Sequence, residues 1–265
     1  MTQRTLPRAF MKLAAALGTI VLVSCAGLGA DDPAELERTL RAAEVGIPSN
    51  KLLKSGNPLG FYKDFEGSLR VKPGAKIPLV IYLHGCSGFG GSSYVDHESL
   101  VDNGFAVIAP SHLARKYAPS KCGGYLEIGM RIAEARYAYQ KAVLLPWVDK
   151  HNMFLMGHSH GGMTTAQYPH KGFSGRIITG WGCQSTHMEW YGLAKPGNEP
   201  VLSILAENDS WLSRYSTPKG DCGEFMSSKN GSNSIVAKNS RYHSVHTEPE
   251  YQERIIQFLN TQIRR

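Results

Sequence analysis

The sequence predicts an α/β fold, a mostly parallel sheet covered by helices on both faces. Three observations carry that reading. Short apolar runs of strand length recur at 77–83, 105–109, 153–156, 176–181, 201–206 and 234–238. Segments with helical periodicity stand between or after them, at 94–103, 126–150 and 248–263. Strands that are apolar throughout, alternating with helices, suit a sheet buried on both sides. Composition supplies the third: 28 glycines in 265 residues provide many tight turns, and 42% hydrophobic against 19% charged residues is ordinary for a packed domain. Disordered, collagen-like, coiled-coil and multi-span membrane classes are thereby excluded.

In chain order, residues 1–12 carry Arg4, Arg8 and Lys12 without an acid, and 13–23 run apolar or small. A charged segment followed by an apolar run too short to span a bilayer is the pattern of an export signal. Leu22-Val23-Ser24-Cys25 resembles the bacterial lipoprotein signal, in which the cysteine becomes the lipidated first residue; ordinary cleavage near Ala26 or Ala30 is the alternative. The expected organisation is a signal peptide over 1–24, an N-terminal leash and helix over 25–58, and a catalytic domain over 59–265.

Ala34, Leu36, Leu40, Ala43 and Val45 continue at helical spacing, with Pro33 suited to a first turn. Residues 46–60 read as a connector, 65–71 as a strand, and Pro73-Gly74 as the turn into the strand 77–83. Gly104 ends the helix 94–103. Ile128, Ile132, Ala135 and Tyr139 define the long helix 126–150, which Pro146 should kink or interrupt. A short strand ends at Gly157, where a turn leads into a helix of small residues. The intervals are too short for an inserted cap, the longest interruption running over 184–199.

The formal charge is +7, and loss of the three basic residues of the signal leaves 26 Lys and Arg against 22 Asp and Glu. Without a basic run or a basic stripe with interleaved aromatics, no nucleic-acid partner is expected. Setting Cys25 aside leaves Cys86, Cys122, Cys183 and Cys222, an even number in an exported chain, with three possible pairings. The expected set is Cys86 with Cys122 and Cys183 with Cys222, because the fold brings each pair's loops to one edge of the sheet.

Chemistry concentrates at Gly157-His158-Ser159-His160-Gly161-Gly162, a G-x-S-x-G pattern placed after a strand and before a helix. There the glycines permit a turn tight enough to raise the serine hydroxyl above the sheet edge. A serine hydroxyl needs a base, and the base an orienting acid. Asp209, after the strand 201–206, and His243, after 234–238, follow in the order Ser, acid, His. Glu207 competes with Asp209 for the acid and His246 with His243 for the base. An oxyanion requires preplaced N–H donors, expected from His160 and from Cys86 in His84-Gly85-Cys86-Ser87-Gly88.

With these features in order, residues 65–259 resemble the α/β-hydrolase superfamily and, within it, the dienelactone hydrolase-like esterases. The resemblance implies Ser159 as nucleophile, Asp209 as acid, His243 as base, and Cys86 with His160 as oxyanion donors. It implies a serine hydrolase acting through an acyl-enzyme on a small-molecule or oligomeric ester, and the signal segment makes that hydrolase an exported one. Dienelactone hydrolases proper carry cysteine where this chain has Ser159. His84-Gly85-Cys86 is also similar to secreted polyhydroxyalkanoate depolymerases and feruloyl esterases. Trp190, Tyr191 and His246 are candidate substrate-binding residues. No metal or organic cofactor is expected, because the elbow accounts for His158 and His160 and no Cys/His spacing matches a zinc site. A membrane partner is expected only through a lipid at Cys25. The competing class is a non-catalytic, membrane-anchored binding lipoprotein.

Overall fold

The computed structural model describes residues 29–54, 58–65, 70–116, 125–185, 191–194, 197–212 and 220–264. The signal segment, Cys25, Cys122 and Trp190 lie outside the described residues.

Among the described residues, one sheet of eight strands organises the fold: β1 Glu44–Gly46, β2 Leu59–Phe61, β3 Ile77–Leu83, β4 Ala106–Ala109, β5 Val148–His158, β6 Gly175–Thr179, β7 Val201–Ala206 and β8 Asn233–Ala237. Their order is β2-β1-β4-β3-β5-β6-β7-β8. From β4 to β8 all neighbours are parallel, and β1 is antiparallel to both β2 and β4. Strand order reverses at β3, which lies between β4 and β5. Such a switch opens a crevice beyond the carboxyl ends of the strands.

The helices are α1 Pro33–Arg41, α2 Tyr62–Phe65, α3 Gly91–Asp102, α4 Tyr125–Ala142, α5 His160–Gln167 and α6 Pro249–Gln262. Alternation along β3 fixes the layers. Ile77, Leu79, Ile81 and Leu83 share a core with Leu40 of α1 and with Ala135, Ala138 and Ala142 of α4. Val80 and Tyr82 face the other side, against Leu100 and Val101 of α3 and Ile255, Phe258 and Leu259 of α6. Burial on both faces is why β3 reads as an unbroken apolar run. A third cluster joins Ile128 of α4 and Met163 and Ala166 of α5 to Ile178, Val201 and Leu205.

Four expectations are corrected. The helical spacing of 34–45 gives out at Arg41, Val45 and Gly46 belong to β1, and the connector 46–60 runs into β2; three-residue strands beside Pro48 and Pro58 look like turns in sequence. The expected strand 65–71 is not one: Phe65 ends α2, residues 66–69 lie outside the described residues, and Val71 makes only an isolated bridge to Leu52. The long helix stops at Ala142, because Pro146 sits in a turn and Val148 already begins β5. Finally, the stretch between β7 and β8 is longer than the interval around 184–199.

Cys183 and Cys222 form a disulfide with Cα atoms 4.7 Å apart and a sequence separation of 39. It ties the segment after β6 to the segment before β8, enclosing β7. Closing a loop of that length removes unfolded-state entropy. Replacing both cysteines by alanine should lower stability by about 2–4 kcal/mol, read as a lower urea midpoint than that of the unreduced parent.

Candidate active site

β5 runs to His158, α5 begins at His160, and Ser159 between them has φ 57° and ψ −117°. A positive φ is unfavourable for a residue with a Cβ and persists only where its surroundings enforce it. Here Ser159 N donates to Thr179 O at 2.8 Å, and Met163 N donates to Ser159 O at 2.9 Å. The glycines answer to contact rather than torsion. A Cβ on Gly157 would lie 2.2 Å from Gly161 O, one on Gly161 1.9 Å from Leu83 O, and one on Gly162 2.7 Å from Thr179 O.

Ser159 Oγ lies 2.8 Å from His243 Nε2, and His243 Nδ1 lies 2.5 Å from Asp209 Oδ2. The other Asp209 oxygen accepts from Trp211 N at 2.9 Å. The Asp209 side chain is fully enclosed while that of His243 is 20% exposed, so the imidazole meets solvent and the carboxylate beneath it does not. Of the competing residues, Glu207 turns to the surface. It accepts from Asn239 N and Lys238 Nζ, both at 2.9 Å, and these bonds hold its carboxyl below the usual range.

His246 departs from the expected place along the cleft. It is 0% exposed, with Nε2 3.2 Å from Asp96 Oδ2. Asp96 also accepts from Tyr82 Oη at 2.9 Å and Gln252 Nε2 at 2.7 Å. The ring of His158 lies between the two candidates, 4.4 Å from that of His246 and 4.9 Å from that of His243. Burial, with His246 and His243 adjoining, holds His158 well below the ordinary histidine value, so it stays neutral.

Tyr191 is half exposed and stands edge-on to Phe225 at 5.2 Å. Trp211, which the sequence does not single out, is 57% exposed with its ring 5.9 Å from that of His243. Its position two residues after the candidate acid was the available signal.

The loop after β3 lies beside the serine. A Cβ on Gly85 would lie 3.5 Å from Ser159 Cβ. Cys86 is disulfide-bonded, and its Sγ is 3.6 Å from His160 Nδ1; its expected partner Cys122 lies outside the described residues. Behind the loop is a buried charged cluster that the sequence does not announce. Arg131 Nη1 donates to His84 O at 2.7 Å, and Nη2 donates to Gly85 O at 3.4 Å. Glu127 Oε1 is 3.3 Å from His160 Nδ1 and 3.5 Å from both Arg131 Nε and His112 Nε2. Glu134 receives His112 Nδ1 at 2.9 Å and Arg115 Nε at 2.5 Å.

Burial, reinforced by the Arg131 charge, pushes both His84 and His160 down to about 3. Burial alone would raise the two glutamates, but hydrogen bonds from His112 and the neighbouring charges outweigh it and hold both below the usual carboxylate value. His112 is held above its ordinary value because its glutamate partners outweigh its burial. Among the described residues, no group of three or more His, Cys, Asp or Glu is placed to hold a metal ion.

No family model matches the chain, and no curated protein matches it. Solved structures do. Est1E from Butyrivibrio proteoclasticus superposes with a TM-score of 0.52 at 14% identity, over 83% of this chain and 93% of that one. A protein assigned as a dienelactone hydrolase from Klebsiella pneumoniae subsp. pneumoniae gives 0.51 at 16% identity, over 71% and 89%. The carboxylesterase EstE1, cloned from a metagenomic library, gives 0.50 at 15% identity, over 72% and 81%. The chain therefore has the α/β-hydrolase fold.

His84 and His160, with His158 acting in the same direction, make stability depend on pH with a definite sign. The unfolded chain binds protons on His84 and His160 near 6.5, the folded chain only near 3. Their stabilisation is complete above pH 6.5 and lost as pH falls toward 3. By pH 5 each costs about 2 kcal/mol, offset in part by His112. The urea midpoint should be lower at pH 5 than at pH 7.5; an equal or higher midpoint at pH 5 would contradict the assignment.

Proposed function

We propose that this chain is an exported serine hydrolase that cleaves carboxylic esters through an acyl-enzyme. The observation that carries the reading is the unbroken hydrogen-bond chain from Ser159 through His243 to Asp209, on a serine held at positive φ. With Nδ1–H donating to Asp209, His243 presents the lone pair of Nε2 to the serine hydroxyl. Ser159 Oγ attacks the ester carbonyl carbon as its proton passes to Nε2. The tetrahedral oxyanion then accepts from the N–H groups of Cys86 and His160. Collapse breaks the bond to the alcohol oxygen, which takes the proton from the imidazolium. Water repeats the sequence on the acyl-enzyme, with His243 again the base, and releases the acid. The cycle draws on no metal or organic cofactor.

Exposed Trp211 beside His243 favours an ester with an apolar or aromatic group on the alcohol or acyl side. Short acyl esters, feruloyl esters, lactones and hydroxyalkanoate oligomers form the panel that ranks them. Export is supported by the Cys183–Cys222 disulfide, since such bonds persist in oxidising compartments. No described helix is long and apolar enough to cross a membrane. Tethering is assigned to a lipid on Cys25. Mass spectrometry of the native-host protein should find a lipidated N-terminal Cys25; a mature N-terminus beyond it removes the tether and leaves export standing.

A fluorophosphonate probe should label the wild type and not Ser159→Ala. With p-nitrophenyl acetate, Ser159→Ala and His243→Ala should each lower kcat by about 10⁴–10⁶-fold, and the double variant should be little worse than either. Full activity in His243→Ala with loss in His246→Ala would reassign the base. Failure of the wild type to label or to hydrolyse any ester would favour the binding-protein reading.

A further inference from the structure

We propose that Arg131 is a positioning residue for the oxyanion site, aiming the Cys86 N–H at the reacting carbonyl by holding the His84 and Gly85 carbonyls from behind. The inference rests on the reading of Ser159 as nucleophile and Cys86 N–H as oxyanion donor.

A trans peptide unit is planar, with C=O and the following N–H pointing in opposite directions. Whatever fixes the Gly85 carbonyl therefore fixes the Cys86 N–H. That carbonyl accepts from Gly88 N within the loop at 3.3 Å and is gripped on the buried side by His84 Nδ1–H at 2.7 Å and Arg131 Nη2 at 3.4 Å, while Arg131 Nη1 takes the preceding carbonyl, His84 O, at 2.7 Å. The His84 tautomer follows from its partners, because Nε2 accepts from His112 N at 3.0 Å and leaves the proton on Nδ1. Gly85 meanwhile lies against Ser159, where a Cβ would come within 3.5 Å of the serine Cβ. With both carbonyls turned toward Arg131, the Cys86 N–H turns toward the serine side.

The same guanidinium is linked to the second donor. Glu127 Oε1 lies between Arg131 Nε and His160 Nδ1, and His160 carries the other proposed N–H. Arg131 is 2% exposed, so it does not touch substrate. Its planar fork serves two successive carbonyls, which the point charge of a lysine does not reproduce.

The test is Arg131→Lys in the full chain, with active sites counted by fluorophosphonate titration so that turnover refers only to competent molecules. Turnover of p-nitrophenyl acetate per titrated serine should fall about 100-fold, with KM within about threefold of the parent and Ser159 still labelled, more slowly. His84→Phe keeps a ring against Phe89 but removes the other inward donor to Gly85 O. It should show the same split. Parental turnover per titrated serine in Arg131→Lys, with only the yield of folded protein reduced, would overturn the proposal and leave Arg131 a structural ion. If Arg131→Lys gives no folded protein, His84→Phe decides: parental per-site turnover overturns the proposal, and the kcat loss at constant KM supports it. A wild type that does not label at all refutes the serine hydrolase reading instead.

Discussion

The site depends on a contact between backbones. At Gly161 the first turn of α5 lies so close to the end of β3 that a methyl group would fall 1.9 Å from the Leu83 carbonyl oxygen. At Gly157 the approach is 2.2 Å, to Gly161 O within the elbow itself. No side chain separates the elbow from the central strand, and β3 and β5 are in register there, with Leu83 opposite Gly157. Ser159 and the loop beginning at His84 consequently leave the sheet side by side. The rest of the carboxyl edge is set from this point. Thr179, opposite His158 on β6, supplies the carbonyl that pins Ser159 N, and β7 and β8 lie beyond it.

His243 must nevertheless return from β8 to a serine on β5, three strands away, or roughly 14 Å at ordinary strand spacing. The loop crosses at Gly180, whose φ is +60° and where a Cβ would lie 3.1 Å from His243 O and 2.7 Å from His158 Cε1. The missing side chain lets the returning loop settle against β6. His158 then packs between the rings of His243 and His246. Its neutrality matters, because a second charged imidazole there would oppose the imidazolium that the proposed reaction forms on His243. The serine thus has a neutral aromatic wall on one side and a charged cluster behind the other.

How much of this the sequence disclosed follows from which physical signal each part leaves. β3 and β7 are readable to the residue because both faces are buried and every position is apolar or nearly so. The end of α4 is not, since Val143, Leu144 and Leu145 continue the apolar character past its last turn at Ala142. Ser159, Asp209 and His243 are legible through order and placement after strands, and the structure brings their side chains into contact. The Cys183–Cys222 pairing expected from the loops the sheet gathers is present in the structure, and Cys122 of the other expected pair lies outside the described residues. Glu127, Arg131 and Glu134 left no such mark. Residues four and three apart share one helix face, and charges so spaced ordinarily belong to a solvated one. What buries them is a distant segment carrying His112 and Arg115, and its course over α4 is tertiary information.

The charged cluster is a poor device for stability alone. Removing ions from water costs several kcal/mol each, and a buried pair is often no better than apolar residues of the same shape. The sheet has apolar cores on both faces, so the fold did not need ions for want of hydrophobic contact. Nor is the cluster fully satisfied: among the described residues Glu127 Oε2 and His160 Nε2 have no hydrogen-bond partner, and Arg131 Nε and His112 Nε2 meet Glu127 Oε1 only at 3.5 Å. What ions supply and apolar side chains do not is direction. A guanidinium that donates to two successive carbonyls orients the peptide that follows them, whereas a leucine in its place would strip the His84 carbonyl of its guanidinium donor and leave the Gly85 carbonyl to His84 and Gly88 alone. The cluster lies directly beneath the loop whose peptide orientation the proposed chemistry requires. Its cost is therefore understandable as the cost of aiming that peptide.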